Sequence, residues 1–455
     1  LELENGTLEP VQPLSPQKTE MPPHSEKRLE WRVRAKTVGE AQIRVSSRAA
    51  AASDGMELTF PVRIRGAERV ETQSFSLSAA EKKHTLRFEV PAARRADSTR
   101  YELRYTPSLV PLILDALPPL IDYPHGCAEQ TLNRFVPAVV AVDLLKQLKL
   151  KHNEYTPAKA AKLARTGLER LRDMRSESGG WSWFPGARDS SPHMTALIVR
   201  GLQLARYSGQ SGTDELIEHG INQLRYLEGG SLRCLTLPKD DRRYKRAPDD
   251  TDMLVHAALF PEKEADAAMR TQLHENRAAL SRQMLALLGL VCHHAKETER
   301  RDMCLRNLKQ HLQQDEATQT AWLKLPAEDR WLWQNDPIET QATFLRLLIA
   351  ANPADPLAPR VVKHLVQTRR HTTHWNSTRD TAAVIHALSE YLRATKENAP
   401  QMDIEFVLGG KTHSRVHLDA SNLLTREHVL TLSADELPTG SHKLEIRKTG
   451  NAPLF

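Results

Sequence analysis

The sequence predicts a multidomain protein in which an α/α toroid is inserted into a β-sandwich, with part of another β-sandwich before it. Apolar and polar residues alternate through residues 1–110 and again after residue 397, which is typical of antiparallel strands with one face in water. Between these segments, apolar residues recur at helical spacing over about 280 residues. The chain has 455 residues, more than one hydrophobic core usually holds, so several domains are expected.

The N-terminal segments predict strands because their apolar side chains recur at every second position. A Pro-rich stretch at residues 10–26 can support little regular structure. The alternating residues are Leu29, Trp31, Val33 and Ala35 in the first segment, Met56, Leu58, Phe60, Val62 and Ile64 in the second, and Leu86, Phe88 and Val90 in the third.

From about residue 116 the apolar spacing becomes helical, and the stripes are wide enough for helices that pack on several neighbours. Antiparallel helix pairs in such a zone predict an α/α toroid or a solenoid. Before the last stripe, Ser377 or Thr378 can cap a helix, and Asp380 suits its positive end. The stripes comprise Ala160, Ala164, Leu168 and Leu171; Met194, Ile198, Gly201, Leu202 and Ala205; Leu280, Met284, Leu287, Leu288 and Val291; Phe344, Leu345, Leu348 and Ile349; and Thr381, Val384, Ile385, Leu388, Tyr391 and Leu392.

After residues 397–400 the spacing of strands returns at Met402, Ile404 and Phe406, and "LPTGSHKLEI" at 437–446 predicts a hairpin turn that enters a strand. This tail has too few strands to be stable alone. We therefore expect it to complete the β-sandwich begun before the helices. A closed toroid suits such an insertion because its termini lie close together.

Composition excludes several classes of protein. The net charge is +6, and the longest apolar run, "MLALLGLVC" at 284–292, is far too short to span a membrane. The basic stretch "DDRRYKR" at 240–246 is either a solvated loop or an anion site, and no RNA-binding signature accompanies it. No signal peptide opens the chain, which starts without Met, so we expect a piece of a longer protein.

The four cysteines are Cys127, Cys234, Cys292 and Cys304, and none lies in a CxxC pair. Zinc binding by "CHH" at 292–294 together with Cys304 does not fit common ligand spacings, so buried thiols are the simpler interpretation. If Cys127 has another role, an odd number of cysteines remains, so disulfides within this chain cannot pair all of the cysteines.

The stretch "DYPHGCAEQT" at 122–131 places a thiol and a carboxamide three residues apart, at Cys127 and Gln130. If the peptide turns there, the sulfur can attack the side-chain carbonyl and expel ammonia, closing a ring of about fifteen atoms at little entropic cost. The product is an internal thioester, an acyl donor with a good leaving group.

The neighbouring residues suit that reaction. Pro124 fixes the approach to the turn, Gly126 permits close backbone passage or positive φ, and the ring of Tyr123 could cover the bond. A helix is predicted from Thr131 onward. The ring would then sit at a helix N-terminus, where partial positive charge favours a thiolate.

The longer string "YPHGCAEQTLNRF" at 123–135 resembles the thioester signature of the α2-macroglobulin and complement family, and the match is best to its bacterial branch. "GGWSWFPG" at 179–186 and "HMTALIV" at 193–199 are similar to the family's first toroid loop and helix, and "HWNSTRDTAA" at 374–383 is similar to a later one. The resemblance implies that Cys127 and Gln130 form the thioester, that Glu129 belongs to the motif, and that Tyr123 shields the bond.

The resemblance also implies a domain order. It assigns residues 1–60 to the end of a macroglobulin-type β domain and residues 61–115 to the first half of a CUB-like β-sandwich. The thioester domain would follow at residues 116–396, and a truncated second CUB half at residues 397–455.

The mechanism that the resemblance implies is covalent trapping of proteases. It implies a single-turnover acyl donor rather than an enzyme, without cofactor or metal. The partners would be proteases, the Lys amines of targets and the remaining macroglobulin domains of the parent chain, and not nucleic acid. The location would be the cell envelope, periplasmic or extracellular, with membrane anchoring only through a missing N-terminus.

Two further features leave alternatives open. In several relatives a downstream His takes over the acyl group, and in "RAPDDTDMLVH" at 246–256 His256 falls about four residues late, so it is either that His or a packed one. The cluster from Asp249 to Asp252 could be the acid or metal site of a toroid enzyme, or the cap of a helix. A third hypothesis is an interaction module in which no thioester forms.

Overall fold

The structure is a computed structural model that describes residues 1–63, 69–71, 73, 75, 77, 81–122, 126–316, 318–326, 336–369, 373–395, 401–419, 421–424, 428–450 and 452–454. The chain divides into two compact units, Leu1–Thr72 and Gln73–Phe455. The predicted domain boundaries remain predictions.

The first unit is built from short antiparallel sheets. Its strands are β1 (Glu2–Glu4), β2 (Leu8–Pro10), β3 (Val33–Ala35), β4 (Gly39–Arg48) and β5 (Ser53–Val62). They form a sheet in the order β1-β4-β5 and a pair β2-β3. The segment from Leu29 was predicted to be a strand, but only its last three residues are. The apolar side chains of β5 were expected to lie on a buried face, yet Met56, Leu58 and Phe60 are all exposed.

The strands of the second unit come from both ends of its sequence, apart from one two-stranded pair at residues 312–323 among the helices. They are β6 (Lys83–Val90), β7 (Tyr101–Arg104), β8 (Leu312–Asp315), β9 (Thr320–Leu323), β10 (Met402–Leu408), β11 (Lys411–Leu418), β12 (Val429–Leu432) and β13 (Gly440–Gly450). One sheet has the order β11-β10-β13-β6, and β12 pairs with β7. Strands before the helices therefore pair with strands after them.

These two sheets share one hydrophobic core. Leu86 lies opposite Leu444 across β6 and β13, and the rings of Tyr105 and Phe406 lie 4.8 Å apart. Leu432 of β12 is buried in the same core. The arrangement is a small β-sandwich. The predicted strand at the end of residues 437–446 is confirmed as part of β13, but the turn before it closes no hairpin, because β12 and β13 belong to different sheets.

The helices form a closed ring. Their bounds are α1 (Val110–Asp115), α2 (Pro118–Ile121), α3 (Ala128–Gln147), α4 (Pro157–Asp173), α5 (Pro192–Tyr207), α6 (Asp214–Thr236), α7 (Asp250–Leu259), α8 (Ala267–Glu275), α9 (Arg282–His294), α10 (Thr298–Lys309), α11 (Pro337–Ala351), α12 (Leu357–Gln367) and α13 (Thr378–Thr395). Helices α3, α5, α7, α9, α11 and α13 each pack on the next, and α13 packs back on α3. Helix α4 packs on α3, α6 on α5 and α7, α10 on α9, and α12 on α11. The architecture is thus the toroid and not the solenoid.

The seam where the ring closes, between α3 and α13, carries polar contacts over an apolar core. Arg393 lies 2.8 Å from the carboxylate of Asp143 and donates to the side chain of Gln147 at 3.1 Å. Around it, the core of the ring is continuous from Leu109 to Leu392. Burial of that core is the main stabilising term, because apolar burial contributes about 25 cal/mol per Å².

Two buried tryptophans anchor the loops that lead into inner helices. The Nε1–H of Trp181 donates to the carbonyl of Leu171 at 2.8 Å, and that of Trp375 donates to the carbonyl of Leu365 at 2.8 Å. Each acceptor lies in the last turn of an outer helix, where carbonyls lack partners within the helix. A buried indole N–H also needs an acceptor. Trp181 therefore fastens its loop to the ring.

Among the residues that the structure describes, no helix combines the length and apolarity that crossing a bilayer demands.

Candidate functional site

The Cys-Ala-Glu-Gln stretch forms the first turn of α3. Cys127 is the N-cap, with extended backbone angles, and Gln130 occupies the third helical position. The backbone N–H of Cys127 donates to the side-chain carbonyl of Gln130 at 3.2 Å, and the Cys127 side chain faces the backbone N–H of Gln130 in return. This reciprocal arrangement is a capping box, which a Gln at the third position favours.

The helix therefore begins at Ala128, three residues earlier than the sequence predicted. The shift matters because Glu129 and Gln130 belong to the helix rather than to the loop before it. A capping turn brings the side chains of its first and last residues together. The sulfur of Cys127 and the carboxamide of Gln130 thus share one turn.

Burial dominates the chemistry of the thiol. Only 8% of Cys127 is exposed, and burial raises the pKa of its thiol above the ordinary value, with the charge of Glu129 adding to the increase. The backbone N–H of Gln130 acts in the opposite direction. The expectation that the helix N-terminus favours a thiolate is therefore wrong for the folded chain, because desolvation outweighs the helix end.

Glu129 is buried and tied on two sides. Its Oε1 accepts a hydrogen bond from the Nδ2 of Asn133, one turn along the same helix. The same oxygen accepts from the hydroxyl of Thr378, at the start of α13, at 3.0 Å. The motif is thereby connected to a residue 249 positions away in sequence.

The turn is also held from the side of α4 and from the loop before α5. The carbonyl of Gly126 accepts from the guanidinium of Arg170 at 3.0 Å, and a Cβ at this position would overlap that guanidinium. The neighbouring group is the end of a flexible side chain and not backbone, so close backbone passage at Gly126 stays a prediction. Ala128 donates its backbone N–H to the carbonyl of Trp183 at 3.0 Å.

The predicted shield lies outside the described residues. Tyr123 and Pro124 belong to residues 123–125, which separate α2 from the motif. Their roles remain predictions from the sequence.

Sequence reasoning missed a group of charged residues at the starts of α11 and α13. Glu339 is buried, pairs with Arg379 at 2.9 Å and accepts from Gln283 at 3.0 Å. Burial raises the pKa of Glu339. The pKa of Asp380 is raised to about 8 by burial and by the neighbouring Asp336. One signal in the sequence pointed to Asp336, since an Asp before Pro337 is a typical helix cap.

His256 is fully buried on α7. Its Nδ1 lies 2.7 Å from Oε1 of Glu228, and Oε2 of Glu228 accepts from the backbone N–H of Asp266 at 2.8 Å. The His therefore joins α7 to α6 and to the start of α8. No hydrogen bond of the described residues connects His256 with Cys127 or Gln130.

The acidic cluster caps α7. Asp249 is the N-cap, and Asp249 and Asp252 form a capping box. Both carboxylates also pair with Lys245, that of Asp249 at 2.7 Å. The capping interpretation is confirmed by this geometry. The metal interpretation is disfavoured, because the carboxylates of Asp249 and Asp252 already pair with Lys245. Lys245 belongs to the basic stretch, which forms a turn-rich loop.

The other cysteines divide into two kinds. Cys292 and Cys304 are fully buried free thiols, and burial raises the pKa of each to about 12. The buried interpretation of both is confirmed. Cys234, near the end of α6, is half-buried and free.

Residues 106–226 match the family described as the A-macroglobulin TED domain. The chain is 28% identical to an α2-macroglobulin of Thermotoga maritima over 292 residues, which is 63% of this chain and 15% of that protein. It is 24% identical to an α2-macroglobulin homolog of Nostoc over 66% of this chain and 15% of that protein. The chain is therefore similar to bacterial α2-macroglobulins and contains a segment that matches the A-macroglobulin TED domain.

Solved structures of this family share the fold. An Escherichia coli α2-macroglobulin spanning domain MG7 to the C-terminus matches with a TM-score of 0.51 at 18% identity, over 100% of this chain and 68% of that one. A Salmonella α2-macroglobulin reacted with methylamine matches with a TM-score of 0.51 at 20% identity, over 100% of this chain and 28% of that one. The chain spans 15% of the length of its first two α2-macroglobulin relatives.

Proposed function

We propose that Cys127 and Gln130 form an internal thioester and that this bond is the reactive group of a protease-trapping macroglobulin. In the forming step, the sulfur of Cys127 bonds to the side-chain carbonyl carbon of Gln130. The carbon–nitrogen bond of the carboxamide breaks, and the thiol proton leaves with ammonia. The capping box carries the proposal, because it holds the two side chains within one turn.

Opening the bond requires a nucleophile. An amine, such as a target Lys, bonds to the acyl carbon of Gln130, the carbon–sulfur bond breaks, and the amine proton passes to the sulfur. Cys127 is left as a free thiol. Each chain reacts once, so the proposed activity is that of an endopeptidase inhibitor rather than of a catalyst. The Salmonella relative reacted with methylamine supports an amine as the acceptor.

The surrounding residues have assigned parts in this proposal. Glu129 belongs to the motif, and Tyr123 covers the bond from water. His256 was considered as an acyl-transfer residue, but its burial and its bond to Glu228 favour a packing role. Without an acyl-transfer His, direct attack by amines is preferred over attack by hydroxyl groups.

We also propose the domain arrangement and the cellular location of the protein. Residues 61–115 and 397–455 form a CUB-like sandwich around a thioester domain at 116–396, and residues 1–60 end a macroglobulin-type domain. The remaining macroglobulin domains of the parent chain would carry the segment that a protease cuts. Acting on external proteases places the protein in the cell envelope, periplasmic or extracellular. The bacterial α2-macroglobulins among the relatives support this setting.

Intact-mass measurement tests the bond directly. A freshly prepared chain with the thioester is about 17 Da lighter than its sequence mass, and methylamine adds about 31 Da. Thiol titration of the native chain gives a second readout. Because Cys292 and Cys304 are buried with pKa values of about 12, Cys234 alone should react before methylamine. Cys127 should join it afterwards.

Two variants serve as controls. Cys127→Ser should show the full sequence mass and ignore methylamine, because an alcohol at this position is a weaker nucleophile. Cys234→Ser should keep the 17 Da difference, since this thiol lies outside the motif. A wild-type chain of full mass whose thiol count methylamine does not change would refute the proposed function and leave the interaction module as the better interpretation.

A further inference from the structure

The contact between Thr378 and Glu129 joins the thioester turn to the helix that closes the ring. The hydroxyl of Thr378 donates to Oε1 of Glu129 at 3.0 Å. Thr378 is the first residue of α13, and its neighbour Ser377 already caps the helix by accepting from the backbone N–H of Asp380. The Thr378 side chain is therefore not needed as the cap.

Glu129 has only one other side-chain donor among the hydrogen bonds of the described residues. Asn133 donates to the same Oε1 from one turn further along α3. Asn133 moves with α3, so it cannot fix Glu129 relative to the rest of the ring. Thr378 is the donor that does so, because it belongs to α13.

We propose that Thr378 is a positioning residue that restrains Glu129 and so slows hydrolysis of the thioester. This inference rests on the proposed function. The carboxylate of Glu129 is close enough to Cys127 to raise the pKa of its thiol, and a carboxylate beside an acyl carbon can act as a general base for water. A hydrogen bond to a carboxylate stabilises its charged form and weakens it as a base.

The position of Thr378 also makes the thioester sensitive to how α13 packs in the ring. Helix α13 packs on α3 and on α2, the helix that leads into the motif. A displacement of the start of α13 would therefore release Glu129 while leaving Cys127 and Gln130 on their own turn. The packing of α13 on α3 thereby affects the hydrolysis of the thioester through the hydroxyl group of Thr378.

The test compares hydrolysis rates of the thioester by intact mass and by thiol release. Thr378→Val removes the hydroxyl and keeps the shape, and it should hydrolyse about tenfold faster, as expected for loss of one charge-assisted hydrogen bond. Thr378→Ser keeps the hydroxyl and should stay within about twofold of the wild type. A Thr378→Val chain that carries no thioester, while Thr378→Ser carries it, would also support the proposal.

Arg393→Met is the matched control, since it removes the pair with Asp143 at another point of the same seam. It should lower thermal stability but leave the hydrolysis rate unchanged. Equal acceleration by Arg393→Met and Thr378→Val would overturn the inference, because the effect would then be general loosening. A wild-type rate for Thr378→Val would overturn it as well. A wild-type chain that never shows the 17 Da difference would instead refute the proposed function, and this inference with it.

Discussion

The backbone N–H of Ala128 donates a hydrogen bond to the backbone carbonyl of Trp183, 3.0 Å away. This bond joins the first turn of α3 to the loop before α5. The loop is in turn fastened to the ring by the buried indole of Trp181. The position of the thioester motif thus depends on a loop whose anchor lies two residues before the contact.

Trp181→Phe should destabilise the second unit. The change leaves the carbonyl of Leu171 without its donor and opens a small cavity, so the expected cost is about 1–3 kcal/mol in the free energy of unfolding. Urea denaturation followed by circular dichroism measures it. Phe184→Leu, on the exposed part of the same loop, should change stability by less than about 0.5 kcal/mol. Equal effects would mean that the indole is not the anchor.

Gln130→Glu should abolish the thioester without disturbing the fold. The carboxylate keeps an oxygen that can accept from the backbone N–H of Cys127, so the capping box survives. It offers no ammonia to expel and resists attack by a thiol. Intact mass should equal the sequence mass, and methylamine should add nothing. An unchanged melting temperature shows that the fold is kept. A mass deficit of about 18 Da in this variant, equal to the water that a thioester to Glu would release, would contradict the mechanism.

His256→Gln should leave the reactivity of the thioester unaltered. The imidazole is buried and bonded to Glu228, so the substitution should lower stability by about 1–3 kcal/mol. The relative rates of reaction with methylamine and with glycerol, followed by mass, should match those of the wild type. A selective loss of the glycerol reaction would restore His256 to an acyl-transfer role.

Asp249→Ala distinguishes the protease-trap hypothesis from the toroid-enzyme hypothesis. Loss of the N-cap of α7 should cost about 1 kcal/mol of stability. Reaction with methylamine should keep its wild-type rate, because the cap and its partner Lys245 have no described hydrogen bond to the motif. Asp249→Asn keeps the capping ability and should stay close to the wild type in both measurements. Loss of reactivity in both variants would favour the acidic cluster as the site.

Asp380→Asn should change how stability depends on pH. The folded pKa of Asp380, about 8, lies above its unfolded value because the group is buried beside Asp336 and Glu339, despite Arg379. Between these two pKa values the folded state binds the extra proton, so stability is greatest below the unfolded pKa and falls as pH rises towards 8. Asp380→Asn should flatten the fall in urea midpoint between pH 5 and pH 8. An unchanged slope would contradict the assignment.

Local features of this protein could be predicted from sequence because they depend on near neighbours. The spacing of apolar residues indicated the helices. The position of Asp249 before a helix indicated a cap, and the spacing of Cys127 and Gln130 indicated a shared turn. The start of α3 was missed by three residues, because the capping box that sets it uses the side chains of the motif itself.

Non-local relationships were decided only by the tertiary structure. Sequence periodicity allowed either a ring or an open solenoid, and only the packing of α13 on α3 distinguishes them. That packing brings Thr378 to Glu129 across 249 positions. The pKa of Cys127 was predicted with the wrong direction, because the helix end is visible in the sequence while burial is not. Sequence thus determined the elements and the spacing of Cys127 and Gln130. The closed ring determined their environment, because burial and long-range hydrogen bonds exist only once distant segments meet.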